Sequence, residues 1–105
     1  MDNSQFNKGV IELCVLSLIK QKDRYGYQLI EIISKSVTIS EGAVYPILRR
    51  LTKEGCFKTY LLESKTGPPR KYYKITKMGS DKATAQANAW AELSASINKL
   101  LTQVN

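Results

Sequence analysis

The stretch SEGAVYPILRRLTKEG, residues 40–55, constrains the fold of this chain more than any other part of it. Its apolar residues recur with the i, i+3, i+4, i+7 spacing of a helix that buries one face: Val44, Ile47, Leu48 and Leu51. Pro46 lies inside this pattern, although proline removes a backbone donor and crowds the preceding turn. Gly55 follows, where glycine commonly ends a helix. The sequence therefore predicts an amphipathic helix with an irregular first turn and a basic outer face.

The role of Pro46 depends on where the regular helix begins. If the Ser40 hydroxyl caps the helix, Pro46 is well inside it and the Gly42 carbonyl loses its partner, at a cost of about 3 kcal/mol. If the helix begins nearer Gly42, Pro46 falls among the first helical residues, whose backbone donors are unpaired in any helix. We prefer the second interpretation, in which residues 40–42 are loosely wound and Gly42 lets a phosphate or base edge approach.

Two further helices are predicted before this one. Residues 8–21 are apolar around most of a helical surface, which is typical of a buried helix. After a polar connection, a second helix is expected from Tyr25 to about Ser36. A short turn joins it to the helix of residues 40–55, so the two form a helix-turn-helix pattern.

Two strands are predicted next, at residues 56–63 and 70–76, because both segments are rich in aromatic and β-branched side chains. The intervening residues 64–69 (SKTGPP) favour a turn, so the strands form a hairpin with a stiff, basic tip. Tyr73 and Ile75 share strand parity and are expected in its core. Tyr72 is expected on the surface or against the last helix.

The last helix is expected to begin at Thr76 or just after it and to run to about Gln103. A stripe of apolar residues with a seven-residue repeat favours association of this helix with a second copy. The predicted dimerisation residues are Ala83, Ala87, Trp90, Leu93, Ile97, Leu100, Leu101 and Val104.

These elements predict a mainly α chain with a β-hairpin wing, an α+β fold of the winged helix-turn-helix type with a C-terminal dimerisation helix. Residues 1–76 are expected to form the DNA-binding domain, with 1–7 as a loose arm. Residues 77–105 are expected to form the dimerisation helix, as part of the same compact unit.

Charge supports a nucleic-acid partner. Residues 49–82 contain ten Lys or Arg and three Asp or Glu, so this segment carries the whole net charge of +7. Basic side chains segregated in this way create a field that attracts polyanions. Arg50 and Lys53 are compatible with either DNA contact or ordinary solvated charge.

Several other classes are excluded or disfavoured. There is no histidine, the nine acidic residues are dispersed, and no glycine-rich phosphate loop is present, so we do not expect an enzyme. Two cysteines, Cys14 and Cys56, are too few for a zinc site and are expected as small buried hydrophobes, so no metal or cofactor is predicted. No apolar run approaches the ~20 residues of a membrane helix, and no leader is apparent. We expect a bacterial cytoplasmic protein without a membrane partner.

Four motifs resemble the PadR family of bacterial transcriptional regulators. They are GAVYPILRRL at residues 42–51 followed by Gly55, RKYYKIT at 70–76 followed by Gly79, Lys8-Gly9, and Tyr25-Gly26-Tyr27. The resemblance covers roughly residues 8–79, and the length of the last helix suits the short subgroup. It implies a homodimeric repressor that binds a pseudo-palindromic operator, at its own promoter or at a neighbouring gene such as that of an efflux transporter.

The resemblance also implies which residues contact double-stranded DNA. From the recognition helix these are Ser40, Gly42, Ala43, Tyr45 and Arg49, with Glu41 facing outward in the same segment. Phosphate contacts are implied for Lys8 and Tyr25, and from the wing for Lys65, Arg70 and Lys71. Many members have threonine at the position of Ala43, which here offers a methyl contact, for instance to thymine.

Trp90, the only tryptophan, has two interpretations. It packs in the dimer interface, or it also binds a ligand there. Some short PadR-like regulators hold flat aromatic compounds between this tryptophan and its symmetry mate. Small neighbours at Ala83, Ala87 and Ala91 leave room for a ligand, but they equally allow close helix packing.

Two non-enzymatic alternatives compete with a DNA-binding regulator. A winged-helix protein-interaction module would not need to concentrate its charge on one helix and one wing. An RNA-binding protein would be expected to show an aromatic platform for single strands, which is not evident.

Overall fold

The computed structural model describes residues 9–103, apart from the side chain of Glu41. In chain order the elements are α1 (Val10–Gln21), β1 (Arg24–Tyr25), α2 (Gly26–Ser34), a 3₁₀ turn (Glu41–Ala43), α3 (Val44–Lys53), β2 (Phe57–Ser64), β3 (Gly67–Ile75) and α4 (Lys77–Thr102). The predicted fold class is confirmed: helices α1–α3 are followed by the β2–β3 hairpin, here called the wing, and by a long last helix.

The apolar face of α3 packs into the core as the spacing predicted. Val44, Leu48 and Leu51 are fully buried, and Ile47 is partly buried against them. Each such side chain contributes about 1.5–3 kcal/mol relative to an exposed one. The core cluster is completed by Val15, Leu16, Ile19, Leu29, Ile33, Cys56, Phe57, Tyr73 and Ala83. Tyr73 and Ile75 thus form the base of the wing as expected, and both cysteines are free thiols, Cys56 buried and Cys14 half-buried.

The start of α3 agrees with the second interpretation of Pro46. Regular helix begins at Val44, so Pro46 is the third helical residue and its missing donor costs no helical hydrogen bond. The first interpretation, with a hydroxyl cap at Ser40, does not apply, because that side chain makes no capping bond. Its carbonyl instead accepts from the Ala43 amide at 3.1 Å, which closes the 3₁₀ turn.

The end of α3 depends on Gly55, as predicted. This residue has φ +93°, a left-handed conformation that glycine adopts without steric cost. The following amide of Cys56 donates to the Leu51 carbonyl at 2.9 Å, and the Gly55 amide donates to Thr52 at 3.1 Å. The chain therefore turns directly from α3 into the wing.

The sheet has three antiparallel strands in the order β1-β3-β2, and the sequence predicted only two of them. Tyr25, predicted to open the second helix, lies in β1 and pairs with Tyr72. A strand of two residues is too short to show a periodic pattern in the sequence. It is defined only by its pairing with a distant strand.

The hairpin is longer than predicted, and the six-residue turn at 64–69 is wrong. Only Lys65 and Thr66 form the turn, while Pro68 and Pro69 belong to β3. They are accommodated because β1 pairs with β3 only at Tyr72 and Tyr73, which leaves the other edge of β3 unpaired at the prolines. The register also shifts between Leu62 and Ser64, where β3 carries one extra residue.

Helix α4 begins as predicted, immediately after Thr76. The Thr76 hydroxyl oxygen accepts from the Gly79 amide at 3.1 Å and the hydroxyl donates to the Gly55 carbonyl at 2.7 Å. A Cβ at Gly79 would lie 2.2 Å from the Cys56 carbonyl oxygen, so only glycine permits this packing of α4 on the start of the wing. The first turns of α4 then pack against α1.

Candidate nucleic-acid interface

An open cleft of about 560 Å³ lies between α2, α3 and the wing. We call it the α3–wing cleft, and its lining residues are Tyr25, Gly26, Tyr27, Glu31, Tyr45, Arg49, Arg70, Lys71 and Tyr73. Five residues that the resemblance implies as DNA contacts are therefore brought together on one concave surface, although they come from three separate segments of the chain.

Tyr45 is held at the base of this cleft by the start of α2. A Cβ on Gly26 would lie 2.5 Å from the Tyr45 ring, so the absence of a side chain at Gly26 makes room for the ring. Beside them is Tyr73, a phenol whose pKa is raised by burial and by Tyr45 and is lowered in part by Arg49. Tyr45 remains 42% exposed, so its outer edge is available to a ligand in the cleft.

The wing side of the cleft presents two cations. The guanidinium carbon of Arg70 lies 4.5 Å from the centre of the Tyr25 ring, a cation–π arrangement. Lys71 shares its strand face with Tyr73, two residues along β3, and therefore faces α3. A neighbouring hollow of about 340 Å³ is lined by Arg49, Thr52, Lys53, Thr59, Lys71 and Tyr73. Lys53 therefore lies beside Arg49 and Lys71 on this surface.

The cations of the cleft are not held in ion pairs by the described residues, although Glu31 lines the same cleft. Within the part of the chain that the structure describes, Arg49, Arg70 and Lys71 form no salt bridge. All three are exposed. Because none of these three cations is held in a salt bridge by a described residue, their charge is available to an external polyanion.

The neighbouring Arg50 has a different role. It bonds the Glu12 carboxylate of α1 and, at 3.1 Å, the Glu54 carboxylate. Gln86 of α4 also donates to Glu12, at 2.6 Å, and Lys82 lies 3.3 Å from Glu54. Burial alone would raise the pKa of Glu12, but the hydrogen bonds from Arg50 and Gln86 outweigh it and hold this pKa below its ordinary value. Arg50 therefore ties α3 to α1, while Gln86 and Lys82 join α4 to the same carboxylates, and Arg50 does not line the cleft.

The remaining predicted contacts do not line the cleft or lie outside the described residues. Ser40 and Gly42 are exposed and Ala43 is half-buried, all before α3, and Lys65 is exposed at the wing tip. Lys8 lies outside the described residues, as does the side chain of Glu41.

The sequence interpretation missed Tyr27 and Glu31 as residues of the cleft. Both line it, and they lie at i and i+4 on the exposed face of α2. That spacing was readable from the sequence and would have placed them on a common face. Of the two positions expected for Tyr72, the structure shows the one on the sheet surface. There its ring packs against Tyr25 and Tyr60 and not against α4.

Gly42 has no structural reason of its own to be glycine. A Cβ built there meets nothing within 4 Å, and the φ angle of Gly42 is not positive. The fold would therefore accept a side chain at this exposed position, so any requirement for glycine comes from an external partner.

A second surface lies along α4, where the described residues leave the apolar stripe uncovered. Trp90 is 46% exposed and Leu101 is 77% exposed, and between them the stripe runs over Leu93, Ile97 and Leu100. Trp90 also borders a groove of about 360 Å³ with Gly9, Val10, Leu13, Gln86, Ala89 and Leu93.

Not all predicted dimerisation residues belong to this surface. Ala83 is 1% exposed and packs in the core of its own chain, so it presents no surface to a second copy. Ala87 is exposed, and Val104 lies outside the described residues. In the part of the chain that the structure describes, no cluster of metal ligands is found, and no helix is long and apolar enough to cross a membrane.

Comparisons with known proteins agree with this geometry. The sequence model of the transcriptional regulator PadR-like family matches residues 15–85. A crystal structure of a PadR-like transcriptional regulator from Bacillus cereus has a TM-score of 0.85 and 38% identity, covering 95% of this chain and 99% of that chain. A Streptococcus transcriptional regulator has a TM-score of 0.82 and 35% identity, with 93% and 98% covered. A PadR family transcription regulator from Clostridium difficile has a TM-score of 0.77 and 27% identity, with 87% and 97% covered.

Proposed function

Because the chain belongs to the PadR-like family of transcriptional regulators, we propose that it is a homodimeric repressor that binds a pseudo-palindromic operator in double-stranded DNA. The regulated gene is its own or a neighbouring one, such as that of an efflux transporter, and the protein acts in the bacterial cytoplasm. One observation carries the proposal: Arg49, Arg70 and Lys71 converge in one open cleft, and none of them forms a salt bridge with another described residue.

In this proposal α3 enters the major groove and the wing lies along the flanking phosphates. Arg49 projects from the outer face of α3, where a guanidinium can bind guanine or a phosphate with two hydrogen bonds. Along the wing, phosphates are neutralised by Arg70, Lys71 and Lys65. Tyr25, which lies beside Arg70, contacts a phosphate as well. Glu31 lines the same cleft, where its carboxylate disfavours phosphates that approach out of register.

The substitution Gly42→Ala distinguishes a role of Gly42 in folding from a role in DNA binding. We expect Gly42→Ala to leave the free energy of unfolding unchanged or to raise it by up to about 1 kcal/mol, since the site is open and alanine reduces the entropy of the unfolded chain. Operator binding should weaken several-fold, because the added methyl group keeps the DNA from close approach. Urea unfolding and fluorescence anisotropy of labelled DNA measure the two effects, and unchanged binding would remove Gly42 from the interface.

The dimer in this proposal forms through the apolar stripe of α4. Residues 77–105 provide the contact and residues 1–76 the DNA-binding domain, within one compact unit. The Trp90 groove receives apolar side chains of the partner's helix, since its lining is mostly apolar. Twofold symmetry then sets the two α3 helices about 34–36 Å apart, one turn of B-DNA.

Trp90 in this interface either packs alone or also binds a planar aromatic effector that relieves repression. Because Trp90 is the only tryptophan, its fluorescence reports directly on such binding. Stacking against an aromatic ligand adds about 0.5–1.5 kcal/mol beyond the buried area. We expect planar cationic dyes or drugs to quench or shift this fluorescence on titration. No change across a panel of such compounds would leave Trp90 as a packing residue.

A mobility-shift assay with the DNA upstream of the protein's own gene tests the proposal. We expect a discrete complex that survives an excess of unrelated duplex and moderate salt. Binding that ignores sequence and vanishes at moderate salt would instead favour the alternative, a winged-helix protein-interaction module without specific DNA binding.

A further inference from the structure

The outer face of the sheet carries a continuous row of three tyrosines, one from each strand. Tyr25 of β1 and Tyr60 of β2 are both register partners of Tyr72 in β3, so the rings lie side by side across the sheet. The Tyr25 and Tyr72 rings meet edge to face with centroids 5.3 Å apart, and the Tyr60 and Tyr72 rings are stacked at 5.6 Å. We call this the tyrosine row.

Both ends of the row are fixed by polar contacts. At one end, the Tyr60 hydroxyl donates to the Asp23 carboxylate at 2.6 Å, which ties β2 to the residue just before β1. That bond raises the pKa of the Tyr60 phenol, as expected for a donor to a carboxylate. At the other end, the Arg70 guanidinium lies over the Tyr25 ring, 4.5 Å from its centre.

We propose that the tyrosine row and Asp23 act as a positioning element that holds the Arg70 guanidinium ready for a DNA phosphate. An arginine side chain has several rotatable bonds, and fixing them on binding costs conformational entropy. The Tyr25 ring already restricts Arg70 in the free protein, and Tyr72 and Asp23-bound Tyr60 keep that ring in place. The inference rests on the proposed function, since it assigns a purpose to the row only if Arg70 binds phosphate.

The two substitutions Tyr72→Leu and Tyr72→Phe form a matched pair. Tyr72→Leu removes the central ring, and we expect it to weaken binding to a DNA duplex by up to about two- to five-fold, the upper limit being complete loss of the exposed cation–π contact between Arg70 and Tyr25. The slope of log affinity against log salt should stay unchanged, because Arg70 still reaches its phosphate. Tyr72→Phe keeps the ring and should bind like the parent protein. The Arg70 Nε–H order parameter, from NMR relaxation of the free protein, should fall in Tyr72→Leu only.

Tyr60→Phe and Asp23→Asn keep the inference testable if Tyr72→Leu fails to fold. Both should lower the Arg70 order parameter and the affinity, as Tyr72→Leu does. Each removes or weakens the hydrogen bond from Tyr60 to Asp23 that fixes one end of the row. Arg70→Ala is the reference: it should lower the salt slope by about 0.9. If Arg70→Ala has this effect while the row variants change neither affinity nor the order parameter, the positioning role is wrong. If Arg70→Ala itself has no effect, the phosphate contact in the proposed function is wrong, and the positioning role fails with it.

Discussion

Replacing both Leu93 and Ile97 by aspartate is expected to convert the protein to a monomer and to weaken operator binding by about 10²- to 10⁴-fold. The two side chains are 55% and 44% exposed in the single chain, so the variant should fold. Across a dimer interface the same positions would bury unpaired carboxylates, which is strongly unfavourable. A monomer binds each half-site independently and loses the gain in effective concentration that the partner provides. Sedimentation velocity measures the association state, and anisotropy on the operator measures the affinity.

The matched control changes the net charge by the same amount on the opposite side of α4. Ala95→Asp combined with Lys99→Gln lies away from the apolar stripe and should leave the protein dimeric. Circular dichroism confirms that both variants remain helical. If the Leu93 and Ile97 variant stays dimeric with unchanged operator affinity, the stripe is not the dimer interface.

The double substitution Arg70→Ala with Lys71→Ala is expected to have the second largest effect. Each residue is assigned one phosphate, so the slope of log affinity against log salt should fall by up to about 1.8. At physiological salt the affinity should fall by at least about tenfold for every DNA sequence alike, because hydrogen bonds to charged groups are lost without any change in base contacts. Anisotropy titrations at several salt concentrations, on specific and unrelated duplexes, measure both quantities.

Lys58→Ala with Lys74→Ala provides the control for this experiment. These lysines pair with each other across β2 and β3 and do not line the α3–wing cleft. The control removes the same charge from the wing, so it isolates the effect of position from that of net charge. Equal slopes for the two double variants would show that the wing acts only as a diffuse cation and not through defined contacts.

Local patterns predicted the parts of the fold that depend on neighbouring residues. The spacing of Val44, Leu48 and Leu51 defines the buried face of α3, and the steric limits of proline place Pro46 in its first turn. Gly55 ends the helix for an equally local reason. The features that were wrong depend on distant partners. Strand β1 exists only through pairing with β3, and the prolines near the wing tip are tolerated only because that edge of β3 is unpaired.

In the candidate site, too, some residues could be predicted from the sequence, whereas the roles of others depend on tertiary contacts. Residue types and the family resemblance indicated Tyr25, Tyr45, Arg49, Arg70 and Lys71, and the fold brings these five into one cleft. Sequence left the role of Arg50 open, because a rotation of one residue around α3 decides whether it or Arg49 meets Glu12. The sequence also could not show that Ala83 is buried in its own chain, because its burial depends on how close α4 lies to α1.

Selection of DNA ligands from a pool of random duplexes tests the central claim most directly. Twofold pairing through α4 with α3 in successive major grooves predicts that the enriched sequences contain an inverted repeat. Its half-site centres should lie about 10–10.5 base pairs apart. Failure to enrich any motif, or enrichment of a single motif without twofold symmetry, would contradict the account.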